Sequence, residues 1–340
     1  MKIKVAVLGA SGAVGREMLA DLENSPICQK LDVHLFASPR SAGEVISFNK
    51  QNLKIKAFEL NALEGFSYAL ASAGSAFTKQ YGRDLAKMGL VLIDNSSAFR
   101  MQTDVPLVVP EVNFHAIDRE KIKKGGIIAN PNCSTIPLVM ALRPLQDKFG
   151  IDFVSVATYQ SVSGAGQKGI KELADQVHAH FRFAEVPSQV FAQPIAFNVL
   201  PTIDVIDQDG HCYEEEKVIR ESRKILDLDA LQVFATTARV PTFNCHCEAV
   251  TVQLRKEVDL VELQEALGSQ AGLQLSLTLD PKQMPSPNNF KGQTNAIVSR
   301  ARLPLGQKKS KIVQFWLVVD NLKKGASSNA VQILERLVQA

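Results

Sequence analysis

A chain of 340 residues is long for a single hydrophobic core, so two domains are expected. Hydrophobic residues at 46% and charged residues at 21% describe an ordinary globular protein, and a net charge of +3 with scattered Lys and Arg excludes a dedicated nucleic-acid binder. The apolar stretch after Lys2 and Lys4 is broken by Gly9 and Gly12, too short for an export signal or a membrane span. The odd count of five cysteines suits thiols in a reducing cytoplasm rather than a disulfide framework.

Ile3, Val5 and Val7 alternate with Lys2, Lys4 and Ala6, the pattern of a first strand. Gly9, Gly12 and Gly15 follow, and Val14, Met18, Leu19 and Leu22 then fall on one face of a helix. Glycines between a first strand and a first helix let backbone approach a pyrophosphate, and the helix start supplies amides and positive potential. Residues 33–37 read as the second strand. The segment Ala37-Ser38-Pro39-Arg40-Ser41 closes it without the acid that usually holds the ribose hydroxyls of NAD. Arg40 and Ser41 are placed to hold a 2′-phosphate, so NADP is the expected cofactor. Residues 68–71 and 90–94 read as buried strands around a helix at 79–88, and 126–129 as a further strand. Strands alternating with helices predict an α/β, doubly wound, mostly parallel dinucleotide-binding sheet over residues 1–130.

The hexapeptide Asn130-Pro131-Asn132-Cys133-Ser134-Thr135 stands between the strand at 126–129 and a helix that begins with Ile136, Pro137, Val139 and Met140. Ser134 or Thr135 can cap that helix, and Pro137 suits its first turn. Cys133 is therefore expected where helix amides and the dipole favour a thiolate, which is a nucleophile.

Beyond this point the pattern changes. Residues 153–158, 249–254 and 312–319 read as longer strands, with helices near 169–180 and 214–226 between them and a loop at 281–293. An α+β second domain with a largely antiparallel sheet is expected over residues 131–320. Over 321–340, Ser327 or Ser328 can cap a last helix lined by Ala330, Ile333, Leu334, Leu337 and Val338.

Taken in order, these segments resemble the aspartate-semialdehyde dehydrogenases, the bacterial form above all. The resemblance runs through Gly9-Ala10-Ser11-Gly12-Ala13-Val14-Gly15, Asp94-Asn95-Ser96-Ser97-Ala98-Phe99-Arg100 and Val108-Val109-Pro110-Glu111. It continues through the cysteine hexapeptide, Gln160-Ser161-Val162-Ser163-Gly164, Glu214-Glu215-Glu216-Lys217, Arg239-Val240-Pro241 and His246-Cys247-Glu248. It implies a thioester on Cys133, with His246 as acid–base and Gln160 orienting the acyl group. His246 has five competitors in sequence, and only the resemblance selects it. An unperturbed pKa near ~6.5 would let such a ring exchange protons at neutral pH.

The resemblance further implies that Arg239 pairs with the substrate carboxylate, a role that suits a planar fork. Glu214 would meet the substrate ammonium, Arg100 and Lys217 would meet phosphate, and Asn132 would touch substrate. Cofactor contacts would come from Gly9, Ser11, Gly12, Ala13, Val14, Gly15, Ser72, Ala73, Gly74, Ser163, Gly164 and Asn321. The helix at 321–340 would pack back on the first domain. The partners implied are a small-molecule substrate and inorganic phosphate, with no nucleic acid and no membrane, in a homodimer or a dimer of dimers.

One departure stands out. The family usually has Gly-His-Ser around the histidine, whereas this chain has Cys245-His246-Cys247. The loss of the glycine bears on the local backbone and hence on the placing of His246. With Cys212 and His211 nearby, the run invites a zinc reading, but the spacing lacks Cys-x-x-Cys pairs and no metal is expected. N-acetyl-glutamyl-phosphate reductases share the cysteine–histidine chemistry but differ after the nucleophile. A non-catalytic NADPH-dependent redox sensor would not need Gln160, Arg239 and His246 together.

Overall fold

The computed structural model describes residues 2–185 and 188–339. The chain forms two compact units, Met1–Asn132 with Ala326–Ala340, and Cys133–Gly325.

The first unit contains, in chain order, β1 (Ile3–Leu8), α1 (Ala13–Glu23), β2 (Leu31–Ala37), β3 (Val45–Phe48), β4 (Gln51–Lys54), β5 (Lys56–Ala57), β6 (Tyr68–Ala71), α2 (Ser75–Lys87), β7 (Val91–Asp94), α3 (Pro110–Asn113), α4 (Arg119–Ile122) and β8 (Gly126–Ala129). The main sheet runs β5-β2-β1-β6-β7-β8 with every pairing parallel. Val5, Val7, Leu35, Leu70, Ile93 and Ile128 are buried in one core cluster with Met18 and Leu22 of α1, which accounts for the near-continuous apolar runs in sequence. The chain lays β2 and β5 on one side of β1 and then β6 to β8 on the other. That reversal opens a crevice at the carboxyl ends of β1 and β6, where such sheets bind ligands.

Three local expectations are corrected here. The helix placed at 79–88 starts a turn earlier, at Ser75, because Gly74 at φ 90° turns the chain directly into it. A β3–β4 hairpin interrupts the alternation. Ser327 and Ser328, expected as caps, instead donate to Asp21 of α1 at 2.5 and 2.8 Å. The helix Ser328–Gln339 places Ala330, Ile333 and Leu334 in the core cluster of the first unit.

The second unit begins with α5 (Thr135–Phe149) and continues with β9 (Ile151–Gln160), α6 (Gly166–Phe181), α7 (Tyr213–Leu226), β10 (Gln232–Arg239), β11 (His246–Val258), α8 (Leu260–Gly268), β12 (Leu273–Leu275), α9 (Pro287–Phe290), β13 (Ala296–Arg302) and β14 (Ser310–Val319). Its sheet runs β10-β9-β11-β14-β13-β12. The interior pairings are antiparallel, while the edge pairs β9–β10 and β12–β13 are parallel. The first edge is parallel because β9 reaches β10 through a crossover holding α6 and α7, a route that antiparallel neighbours do not need. The segment at 281–293, read as loop, contains α9, started by Ser286 whose N–H is held by Asn289 Oδ1 at 2.7 Å.

Alternation along these strands positions the chemistry. On β9 the inner face is Val154, Val156, Thr158 and Gln160; on β11 it is His246, Glu248, Val250 and Val252; on β10 it ends with Thr237 and Arg239. Apolar residues fill the middle of each strand. The same period of two delivers polar side chains at neighbouring strand ends, where His246 lies opposite Gln160 in register.

Candidate active site

In the first unit a cavity of about 560 Å³ is lined by Leu8, Gly9, Ser11, Gly12, Phe36, Ala37, Ser38, Pro39, Phe58, Ser72, Ala73, Phe77 and Tyr81. The glycines are sterically required. A Cβ on Gly9, at φ +82°, would stand 2.8 Å from the Ser72 carbonyl oxygen, and one on Gly15 would stand 2.2 Å from the Gly9 oxygen. Helix α1 starts without a side-chain cap and without an acid in its first turn, so its amides suit an anion. A dinucleotide fits these features. Of the predicted cofactor residues, Gly9, Ser11, Gly12, Ser72 and Ala73 line the cavity. Ala13, Val14 and Gly15 form the first turn of α1, and Gly74 is the N-cap of α2. Arg40 and Ser41 sit in a 3₁₀ turn, Pro39–Ser41, outside the lining, with Arg40 exposed. Ser163, Gly164 and Asn321 belong to the second unit.

Arg100 also lies in the first unit and is 7% exposed, its Nη2 donating to the Asn95 carbonyl at 2.8 Å. The turn bearing it is fixed by Asp94, which accepts from Ser96 Oγ at 2.7 Å and Thr78 Oγ1 at 3.0 Å. Asn130 Nδ2 donates to Asn95 Oδ1 at 2.6 Å, and Asn329 Nδ2 to Asn130 Oδ1 at 2.7 Å. Asn132 is buried.

In the second unit Cys133 lies just ahead of α5. Ser134 occupies the N-cap position with helical backbone and makes no side-chain cap, contrary to expectation. Gly325 packs on the cysteine, since a Cβ there would be 3.1 Å from Cys133 Cβ. In the same unit the polar strand ends are connected. Gln160 Nε2 donates to Glu214 Oε1 at 3.0 Å, and Lys217 Nζ to Glu214 Oε2 at 3.0 Å and Asp204 Oδ2 at 2.8 Å. Burial works against the Lys217 ammonium, but Glu214 and Asp204 outweigh it and raise its pKa.

Arg239 Nη1 donates to the Ser161 carbonyl at 2.8 Å. Burial lowers its guanidinium pKa, opposed by the charges of Glu214, Cys133 and Asp204. A Cβ on Gly164 would sit 2.6 Å from Arg239 Nη1 and 3.5 Å from His246 Cε1, so the guanidinium would have to shift to admit one, and the glycine stands beside both groups.

His246 is fully buried. Its Nδ1 accepts from the Ser161 backbone N–H at 3.1 Å, while Nε2 has no hydrogen-bond partner among the described residues. The expected near-neutral titration is not what this environment produces. Burial first, and Arg239 second, lower the pKa to about 3, against the Cys245 backbone and Glu214. The ring is neutral in the free site and presents an N–H at Nε2.

Several residues here were not foreseen. Glu248, two residues along the same face, is buried with neither carboxylate oxygen partnered among the described residues, and burial raises its pKa well above the usual range. Phe58, Phe77 and Tyr81 form an aromatic cluster on the cavity wall, with centroids 4.6 to 5.1 Å apart. An aromatic pair four residues apart, just after Ser72-Ala73-Gly74, was the available signal. Cys245 is buried at φ +69°, the left-handed region, which costs a residue other than glycine on the order of 1–3 kcal/mol. Among the described residues no group of three or more His, Cys, Asp or Glu side chains is arranged to hold a metal, and no helix is long and apolar enough to cross a membrane.

Residues 4–120 match the family of the semialdehyde dehydrogenase NAD binding domain, and residues 142–324 that of the semialdehyde dehydrogenase dimerisation domain. A nucleotide-binding domain followed by this dimerisation domain defines the class as semialdehyde dehydrogenases. Aspartate-semialdehyde dehydrogenase from Aquifex aeolicus is 43% identical, covering 100% of this chain and 99% of the relative. The Bacillus subtilis enzyme of the same name is 39% identical, covering 98% and 97%. The crystal structure of aspartate semialdehyde dehydrogenase II from Vibrio cholerae complexed with ASA superposes with a TM-score of 0.92 at 38% identity, covering 100% and 99%. The chain belongs to the aspartate-semialdehyde dehydrogenase family, oxidoreductases of amino-acid biosynthesis.

Proposed function

We propose that this chain catalyses the reversible, NADPH-dependent reductive dephosphorylation of aspartyl phosphate to aspartate semialdehyde, through a thioester on Cys133. The reaction serves synthesis of lysine (by way of diaminopimelate), methionine and threonine. The observation that carries the reading is His246, a buried neutral ring beside Arg239 whose Nδ1 is satisfied and whose Nε2 has no partner among the described residues. A buried polar atom without a partner calls for an explanation, and a reacting oxygen supplies one.

Cys133 Sγ attacks the acyl carbon, the carbon–oxygen bond to phosphate breaks, and inorganic phosphate leaves a thioester behind. NADPH, when bound by the glycine turn of the first unit, supplies the hydride. His246 lends its Nε2 proton to the carbonyl oxygen as charge develops there and takes it back as the aldehyde carbonyl re-forms, the carbon–sulfur bond breaks and the electron pair returns to Cys133. Gln160 orients the acyl group. Arg239 pairs with the substrate carboxylate, Asn132 contacts substrate, and Arg100 and Lys217 receive phosphate. Glu214 and Lys217 form an ion pair in the free site. Substrate binding exchanges that pair, the ammonium taking Glu214 and the phosphoryl group taking Lys217. NADP is preferred over NAD because β2 ends without an acid and Arg40 and Ser41 follow it. The match to a dimerisation domain supports a homodimer or a dimer of dimers.

The test is direct. Incubation with aspartate semialdehyde, inorganic phosphate and NADP⁺ should produce reduced cofactor, followed by absorbance, at a rate that depends on phosphate. Absence of turnover, or turnover indifferent to phosphate, would overturn the proposal.

A further inference from the structure

The geometry points to Asn321 as a positioning residue that holds Cys245 in its left-handed backbone conformation and thereby sets the ring of His246, an inference that rests on the acid–base reading of that histidine. Asn321 is 3% exposed and lies two residues past the end of β14. Its Oδ1 accepts from the Cys245 backbone N–H at 3.0 Å and from Ser161 Oγ at 3.2 Å, and lies 3.1 Å from Ser163 Oγ. Its Nδ2 donates to Ser163 Oγ at 2.9 Å, and the two serine hydroxyls are 2.9 Å apart.

Counting protons orders this cluster. Each hydroxyl has one to give. Asn321 Nδ2 donates to Ser163 Oγ, Ser163 Oγ to Ser161 Oγ, and Ser161 Oγ back to Asn321 Oδ1, which closes a ring of mutually polarising bonds. The Ser161 hydroxyl, 3.3 Å from His246 Nδ1, then has its proton committed elsewhere, and the group that donates to Nδ1 is the Ser161 backbone N–H at 3.1 Å, which can only donate. Nδ1 must therefore be the bare nitrogen of the neutral ring and Nε2 the one bearing the proton. One side chain thus holds the ring's origin, through Cys245, and keeps the Ser161 hydroxyl proton turned away from Nδ1.

The backbone explains why such a clamp is needed. Cys245 bears a Cβ at φ +69°, and its thiol packs among Cys247, Phe290 and Val318. No local feature favours the left-handed region there, since the residue is neither glycine nor asparagine. The bond to Asn321 ends one residue before β11 starts at His246, whose register with Gln160 and Val319 depends on the direction in which the chain enters. The turn bearing Asn321 is itself pinned, with Asp320 accepting the backbone N–H groups of Gly292 at 2.7 Å and Leu322 at 3.0 Å. The same turn ends at Gly325, which packs on Cys133.

The test uses the full-length enzyme and five variants: Asn321→Ala, Cys245→Gly, Cys245→Ala and the two doubles. Cys245→Gly and Cys245→Ala both delete the thiol and differ by one methyl. Glycine should give the higher thermal midpoint by several degrees, reversing its usual order with alanine. A more stable alanine variant would mean that the left-handed conformation is not held at a cost, and would overturn the proposal. At saturating substrate and cofactor, Asn321→Ala should lower kcat at least tenfold. Adding Cys245→Gly should recover at least threefold of that loss, and adding Cys245→Ala should recover none.

Should Asn321→Ala fail to fold, recovery of folded protein by the glycine double but not by the alanine double is the same readout. Equal behaviour of the two doubles, or a loss confined to the KM for NADPH, sinks the idea. Nitrogen-15 spectra of the His246 ring separate this inference from the reading beneath it. The Nδ1 resonance should shift in Asn321→Ala, as the ring's origin moves and the freed Ser161 hydroxyl turns to it. A shifted ring with unchanged kcat would uphold the clamp and overturn the acid–base role, whereas an unshifted ring with lowered kcat would overturn the clamp.

Discussion

Gly9 and Cys245 occupy equivalent backbone states, φ +82° and +69°, at the edge of the two candidate sites. At Gly9 the chain has no Cβ, and none would fit beside the Ser72 carbonyl. The conformation is written into the residue. At Cys245 a Cβ is present and the conformation is held from outside, by a buried side chain 76 positions further along. The first site is built from backbone and depends on what is missing. The second is built from side chains at strand ends and depends on bonds made by distant residues. The two should therefore fail in different ways.

Cys133→Ala should have the largest effect. Turnover should fall by ~10⁴ or more, as for removal of a nucleophile elsewhere, while NADPH binding by titration stays intact because the glycine turn is untouched. Loss of NADPH affinity in that variant would break the separation between the two regions. Gly15→Ala is the converse. Its Cβ would meet the Gly9 oxygen at 2.2 Å, so the turn must shift at a cost of about 1–3 kcal/mol. The dissociation constant for NADPH should rise more than tenfold, with residual kcat at saturating cofactor.

Arg239→Lys keeps the charge and loses the fork that holds the Ser161 carbonyl. The KM for the semialdehyde should rise on the order of tenfold, with some loss of kcat through misplacement, while the phosphate constant moves much less. If both constants rise by similar factors, Arg239 does not read the carboxylate. Arg40→Ala should weaken NADPH roughly tenfold, about the worth of one charge-assisted hydrogen bond, and NADH hardly at all. Equal specificity constants for the two cofactors in wild type would remove the argument from Arg40, which already stands outside the cavity lining.

The last effect is on stability and leaves kinetics aside. His246 has a folded pKa of about 3, below its unfolded value near ~6.5, so between these limits the unfolded chain takes up a proton that the native ring refuses. Stability is lost as pH falls through that window, by up to ~1.4 kcal/mol per pH unit. In His246→Gln this component should vanish, giving a shallower decline of the urea midpoint between pH 6 and pH 4. Identical slopes in both proteins would show that the ring is not buried neutral.

Much of the architecture was legible because it follows from local rules. Alternation of apolar and polar residues marked the strands, Gly9, Gly12 and Gly15 marked the turn after β1, and apolar spacing marked α1 and the last helix. The misplaced details are those where a tertiary partner outbid a local one. Ser327 and Ser328 have the chemistry of caps but gain more from Asp21, and Ser134 sits at the cap position without capping. The parallel edges of the second sheet depend on which strands a crossover brings together, and strand propensity carries no information on that.

By itself, the sequence determined the order of strands and helices, the glycine cradle and the placing of a cysteine ahead of α5, because each depends on neighbours a few positions away. The resemblance added which histidine to look at, but nothing about its state. Only the tertiary structure decided that His246 is neutral with Nδ1 bound and Nε2 bare of partners among the described residues, that Glu248 lies buried beside it, and that Cys245 stands in a glycine's conformation. Those properties come from desolvation and from hydrogen bonds between residues up to 160 positions apart, such as Ser161 and Asn321. Burial and long-range pairing are sums over the whole fold, and no short window of sequence contains them.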